Sequence, residues 1–176
     1  MTLQELLVAV DRIVAKSSIP YAVIGAYAVA AWGEVRGTRD LDVLIEAADL
    51  ERLVPTLGQD SANIELRRGD EDDPIAAVIR MVVGHGADRQ SVDIIAGIRG
   101  IPVGIVARAH RIELAGRSVA IASPEDMLIL KLRAGSARDV EDARSIVRVQ
   151  GKRLSRALLA EICPPDLAPR LADLLR

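Results

Sequence analysis

Along the first sixteen positions, Leu3, Leu6, Leu7, Val10, Ile13 and Val14 recur at helical spacing, which predicts a helix over 2–16. Pro20 closes the following turn. A short apolar run over 21–24 reads as a strand, ended by Gly25. The alanine-rich stretch 26–32 reads as a helix, and 33–39, with Gly33 and Gly37, as a polar loop. The apolar run 41–45 predicts a strand with Asp40 and Asp42 at its head, and 48–57 returns to helical periodicity. Residues 63–67 read as a strand and 69–74 as an acidic turn. The runs 77–83 and 90–95 read as strands joined by a hairpin turn at Gly84-His85-Gly86. Residues 98–109 show no clear period, while 110–114 and 117–121 flank a second hairpin signal, Ala115-Gly116. From there the strand signals stop. Ser123-Pro124-Glu125-Asp126 gives an N-cap, a first-position proline and first-turn acids, opening a helix that runs through Lys131 to about Ala134, where Gly135 ends it. Residues 138–150, 154–162 and 166–176 read as further helices. The predicted organisation is an α/β (α+β) unit over 1–122, a mixed β-sheet packed with helices, followed by a C-terminal helical subdomain over 123–176.

With 176 residues, half of them hydrophobic, the chain can bury a sizeable core. Phe is absent and aromatics make up 2%, so the core must be built from Val, Ile, Leu and Ala. Only Trp32, Tyr21 and Tyr27 could stack on a nucleobase, which argues against stacking as the main binding device. The net charge of −2 provides no global field toward nucleic acid or membrane, although Arg36 with Arg39, and Lys131, Arg133 and Arg138, form local basic clusters. A single cysteine, Cys163, allows no internal disulfide and no cysteine-rich metal cluster, and is expected of a cytoplasmic, reducing setting. Neither a signal peptide nor a membrane-spanning helix is expected.

Residues two apart on a strand point to the same side, so Asp40 and Asp42 would sit together at the head of an apolar strand. Paired carboxylates repel unless a proton or cation lies between them, and a hard cation such as Mg²⁺ takes oxygen ligands of this kind. The plainer alternative has Asp40 capping the loop and Asp42 facing water. Asp93, in the apolar run 91–96, reads as a third ligand, as a base, or as a solvent-facing strand residue. Gly25, between a strand and a helix, places backbone N–H groups where a phosphate could bind. Lys131 reads either as an exposed helix residue or as a cation for phosphate, and Asp139 and Asp142 as surface ion-pair partners of nearby arginines.

The order and spacing of these features resemble the nucleotidyltransferase superfamily, which includes the polymerase-β-like enzymes. Val23-Ile24-Gly25-Ala26, then Gly33, Arg36, Thr38, Asp40 and Asp42, is similar to the family's Gly-Gly/Ser turn and Asp-x-Asp strand. Within the superfamily the chain resembles the AbiEii-like group of abortive-infection toxins and their bacterial relatives, through Pro124-Glu-Asp-Met-Leu-Ile-Leu-Lys131-Leu-Arg-Ala-Gly135 and Arg138-Asp139-Val-Glu-Asp142. The likeness spans about residues 20–147. It implies a nucleotidyltransferase-type mixed sheet and metal-dependent transfer of a nucleoside monophosphate from an NTP to a hydroxyl or phosphate, releasing pyrophosphate. It implies Asp40, Asp42 and Asp93 as ligands of Mg²⁺ or Mn²⁺, with Lys131 completing the catalytic set. Gly25, Ala26, Arg36, Thr38, Arg39, Lys131 and Asp142 would contact the nucleotide. The implied partners are an NTP, an acceptor that is RNA (a tRNA end), protein or small molecule, and an antitoxin or regulator. Ala26 stands where the family carries Gly or Ser, and on that residue rests the alternative reading, a non-catalytic binding or regulatory member of the fold.

Overall fold

The computed structural model describes residues 3–38, 40–57, 62–84, 86, 89–114 and 116–176. Helix α1 (Leu3–Lys16) buries Leu6, Leu7, Val10, Ile13 and Val14, the face its spacing predicts. Strand β1 (Ala22–Ile24) runs straight into α2 (Gly25–Trp32), and the loop beyond leads into β2 (Asp40–Ile45). A 3₁₀ turn (Ala47–Asp49) and α3 (Leu50–Leu57) follow, then β3 (Ala62–Arg68), β4 (Ile75–Val83), β5 (Gln90–Ile98), β6 (His110–Leu114) and β7 (Arg117–Ile121). Four helices finish the chain: α4 (Pro124–Ala134), α5 (Ala137–Gln150), α6 (Arg156–Ile162) and α7 (Ala168–Leu174).

The strands form one mixed sheet in the order β3-β4-β5-β2-β1-β7-β6. The β2–β5 and β1–β7 pairs are parallel and the other pairs antiparallel. Register and alternation together divide the central strands into two faces. On one face Leu41, Val92 and Met81 align across β2, β5 and β4, as do Val43, Ile94 and Ile79, and then Ile45, Ala96 and Ala77. All nine are buried and belong to the core cluster that includes α1 and α3. The opposite face carries Asp42, Asp93 and Arg80 on one rung and Leu44, Ile95 and Val78 on the next.

Helix α4 forms where its capping residues predict. Ser123 Oγ accepts from the Asp126 N–H at 3.0 Å and donates to Asp126 Oδ2 at 2.6 Å, and Gly135, left-handed at φ +69°, ends the helix. Helix α5 starts at a capping box in which Ser136 and Asp139 satisfy each other's backbone N–H groups. Helix α2 packs on both, which brings α4 and α5 against the β1–α2–β2 unit at the centre of the sheet. Among the described residues, no helix is long and apolar enough to cross a membrane.

Candidate active site

The link between β1 and α2 lies directly against the Asp42 side chain. Gly25 has φ +65°, and a Cβ at that position would run into the Asp42 carboxylate. Glycine is therefore required there on two counts, conformation and space. Among the described residues Ser18 alone has a positive φ without being glycine, so Ala26 sits in ordinary backbone just inside α2. The turn needs its unusual conformation at Gly25, not at Ala26, and Ala26 carries no strain.

Asp42 and Asp93 are direct partners in the parallel β2–β5 register, on one face of the sheet, and Asp40 lies one rung away opposite Ser91. The register thus sets Asp42 beside Asp93, with Asp40 on the neighbouring rung of the same face. Among the described residues no side chain donates a hydrogen bond to the Asp42 carboxylate, and its pKa is pushed up to about 6, first by burial, then by the charges of Asp93 and Asp40. Lys131 and Arg36 act in the opposite direction. Asp93 is engaged elsewhere: Arg80, its partner on β4, grips both carboxylate oxygens, Nε at 2.8 Å and Nη2 at 2.7 Å. Among the described residues, no group of three His, Cys, Asp or Glu side chains converges closely enough to hold a metal ion. The donor set itself fits a hard divalent cation. It consists of oxygens alone, and its central member is destabilised by its neighbours' negative charge, which a cation would offset.

The two α4 and α5 positions that sequence left open are not surface residues. Lys131 and Asp142 are buried. Lys131 Nζ lies 2.9 Å from Asp139 Oδ1 and 2.9 Å from Asp142 Oδ2. Arg36, from the loop before β2, reaches Asp142 with Nε at 2.8 Å and Nη2 at 2.9 Å. The hydrogen bonds from these two cations hold Asp142 below its ordinary range against the opposing effect of burial. The network ties the loop preceding the carboxylates to α4 and α5. Thr38, in the same loop, donates to the Asp40 carbonyl at 3.2 Å. Arg39, the remaining predicted nucleotide contact, and His85, in the predicted hairpin turn, lie outside the described residues.

Three cavities surround this centre. One of about 590 Å³ is lined by Gly25, Asp42 and Lys131 together with aliphatic side chains such as Ile24, Ile95 and Met127. A second, of about 460 Å³, is polar and lined by Asp42, Asp93, Arg80, Glu65 and Arg67. The third, of about 550 Å³, adjoins Asp40 and is lined by Arg36, Thr38 and Arg138. Two of the three aromatics are committed to the scaffold: Tyr21 donates to Asp11 at 2.9 Å, and Trp32 donates to the Ala122 carbonyl at 2.7 Å. Arg80 and Glu65 line these cavities without standing out in the sequence, whereas Arg138 is expected there in a basic cluster with Lys131 and Arg133. For the first two, the usable signal is strand alternation, which puts charged residues on the face opposite the core.

The family model described as "Nucleotidyl transferase of unknown function (DUF2204)" matches residues 72–162, just over half of the chain. No curated protein matches the chain. Among solved structures the chain is similar to ANT(2″)-Ia in complex with adenylyl-2″-tobramycin, at 15% identity and TM-score 0.60, over 97% of this chain and 99% of that one. It is also similar to an antigenic nucleotidyltransferase-like protein from Paracoccidioides brasiliensis (19% identity, TM-score 0.58, 98% and 91% of the two chains). A third likeness is to the lincosamide antibiotic adenylyltransferase LnuA, lincomycin-bound (14% identity, TM-score 0.53, 85% and 98%). At these identities the likeness is one of fold, and it agrees with the mixed sheet and flanking helices.

Proposed function

The chain belongs to the nucleotidyl transferase family of unknown function DUF2204, and from that premise we propose that it moves a nucleoside monophosphate from an NTP to a hydroxyl or phosphate acceptor at the Asp42–Asp93 rung. The observation that carries this reading is the seating of the Asp42 carboxylate against Gly25 at the head of α2, with Asp93 beside it in register. A triphosphate lying along the Gly25 turn would meet free backbone N–H groups at one end of its path and Lys131 at the other. Arg36 and Thr38 hold the loop that carries Asp40, and Asp142 positions both Arg36 and Lys131. In the division of labour we propose, residues 1–122 carry the carboxylates and residues 123–176 provide the cation facing them.

Asp42 and Asp93, with Asp40, would hold Mg²⁺ or Mn²⁺. When bound, such an ion offsets phosphate charge and steadies the attacking and leaving oxygens. In the transfer, the acceptor oxygen forms a bond to the α-phosphorus as the bond to the β-phosphate oxygen breaks, and pyrophosphate leaves. The acceptor's proton passes to a carboxylate, for which Asp93 is placed once Arg80 releases it. For the acceptor we favour a small hydroxylated molecule, because the two antibiotic-bound structures share this fold over nearly their whole length. An RNA end, and with it a toxin role, is the second choice, supported by the sequence likeness at Lys131 and Asp142.

The test is calorimetric titration of non-hydrolysable NTPs into the protein with and without Mg²⁺, with Asp42→Ala alongside. Binding that needs both Mg²⁺ and Asp42 is the expected result. Binding indifferent to both, or no binding by any NTP, would refute the reading.

A further inference from the structure

The rung that holds Asp42 and Asp93 continues across the sheet. Arg80 stands opposite Asp93, and Glu65 stands opposite Arg80. From β2 outward to β3 the charges run minus, minus, plus, minus, so Arg80 has a carboxylate on each side. It is committed to one of them, through two hydrogen bonds to Asp93. The members of that pair differ in freedom: the Asp93 side chain is 14% exposed and that of Arg80 61%. The carboxylate is the fixed partner and the guanidinium, on its long stem, the movable one. Glu65 is exposed and lines the same 460 Å³ cavity as Arg80 and Asp93.

Resting on the function proposed above, we propose that Arg80 is a positioning residue that competes with the divalent cation for Asp93, with Glu65 as the second station for its guanidinium. While the fork is closed, both Asp93 oxygens are taken and a positive charge stands where a cation would approach. A cation arriving at Asp93 must displace it. Because Glu65 shares the rung, Arg80 can exchange carboxylates by side-chain rotation alone, with the strand register intact. The exchange forms and breaks no covalent bond. Although the pair is bidentate, the arginine is exposed and solvent screens it, so the fork can lower cation affinity without abolishing it. Its consequence is a site that keeps Asp93 protected until the ion is present.

The experiment is Mn²⁺ titration, read by the electron-spin signal of free Mn²⁺, of the full chain, Arg80→Gln, Glu65→Gln and the double variant. Removing the competitor in Arg80→Gln should tighten Mn²⁺ binding about three- to fivefold, the scale of one exposed ion pair. Removing the second station in Glu65→Gln should weaken it about twofold. In the Arg80→Gln background, the Glu65→Gln effect should disappear, because the station matters only to Arg80. Unchanged or weaker binding in Arg80→Gln would overturn the proposal, as would a Glu65→Gln effect of equal size in both backgrounds. If Mn²⁺ binds in an Asp42-dependent way and Arg80→Gln leaves it unchanged, the latch alone falls. If no variant and no wild-type protein binds Mn²⁺, the latch and the metal site fall together.

Discussion

Replacing Asp42 with asparagine keeps the side chain's shape and removes its charge from a rung already occupied by Asp93 and adjacent to Asp40. In the folded protein, burial and those two neighbours raise the Asp42 pKa from an ordinary 3.8 to about 6. The direction fixes the sign of the linkage. Below about pH 3 the carboxyl is protonated in both folded and unfolded chains and costs nothing. As pH rises through the unfolded value, the unfolded chain ionises first and the fold is penalised, fully so above about pH 6. At about 1.4 kcal/mol per tenfold change in the protonation equilibrium, the penalty is about 3 kcal/mol. Asp42→Asn should therefore be more stable than wild type at pH 8, by about 6–12 °C in Tm for a chain of this size. The gain should shrink steadily as both proteins are melted at lower pH, to a small remnant at about pH 4 and to nothing below about pH 3. Melting at pH 8 with added Mg²⁺ provides a second arm. A cation on the carboxylates stabilises the folded state by mass action, so wild type should gain and Asp42→Asn should not. A variant no more stable than wild type at pH 8, or equally favoured at pH 4 and pH 8, would refute the claim that Asp42 is a strained, charged centre.

Three further outcomes follow from the same geometry. Gly25→Ala forces a side chain into a left-handed position already filled by the Asp42 carboxylate. It should cost at least about 2 kcal/mol in a denaturant melt and eliminate NTP binding by calorimetry. Lys131→Ala leaves Asp139 and Asp142 without their shared cation. Stability should fall by roughly 3 kcal/mol, and calorimetry should show affinity for a nucleoside triphosphate falling more than affinity for the monophosphate. Ser123→Ala removes the α4 cap, including the bond to the Asp126 N–H. A loss of about 1 kcal/mol is expected, seen as a lower denaturation midpoint.

Most of the fold is legible in the sequence, because its signals are local. The stripe from Leu3 to Val14, the alternation in β4 and β5, and the Ser123-Pro124 start of α4 each lie within one element, and each appears where its pattern places it. The juxtaposition of Asp42 with Gly25 follows from two short motifs that meet because β1 and β2 pair. What could not be read depended on register and on distant packing. A hairpin centred on residue 85 would set Arg80 opposite Gln90; the observed pairing sets it opposite Asp93, so the fork on the third carboxylate is invisible without the structure. Lys131 and Asp142 have the neighbours of ordinary helix residues, and only the packing of α5 against α4 and the 33–38 loop buries them. Ser136 does not stand out as a cap because Asp139, three residues on, is an equal candidate by residue type, and the capping box has the two acting together.

Strand β1 has its two neighbours at very different distances along the chain. Val23 pairs with Val43 on one side, about twenty residues on, and with Ile121 on the other, about a hundred residues on. During synthesis, then, the strand leading into the Gly25 turn keeps one open edge until β7 has emerged, and the Ala122 amide that closes on the Val23 carbonyl comes later still. Such non-local pairing slows folding, and an unpaired apolar edge invites association with other chains in the interval. The segment that shapes the phosphate turn is thus among the last parts of the sheet to be sealed. Folding of the carboxylate centre must wait for residues with no chemical part in it.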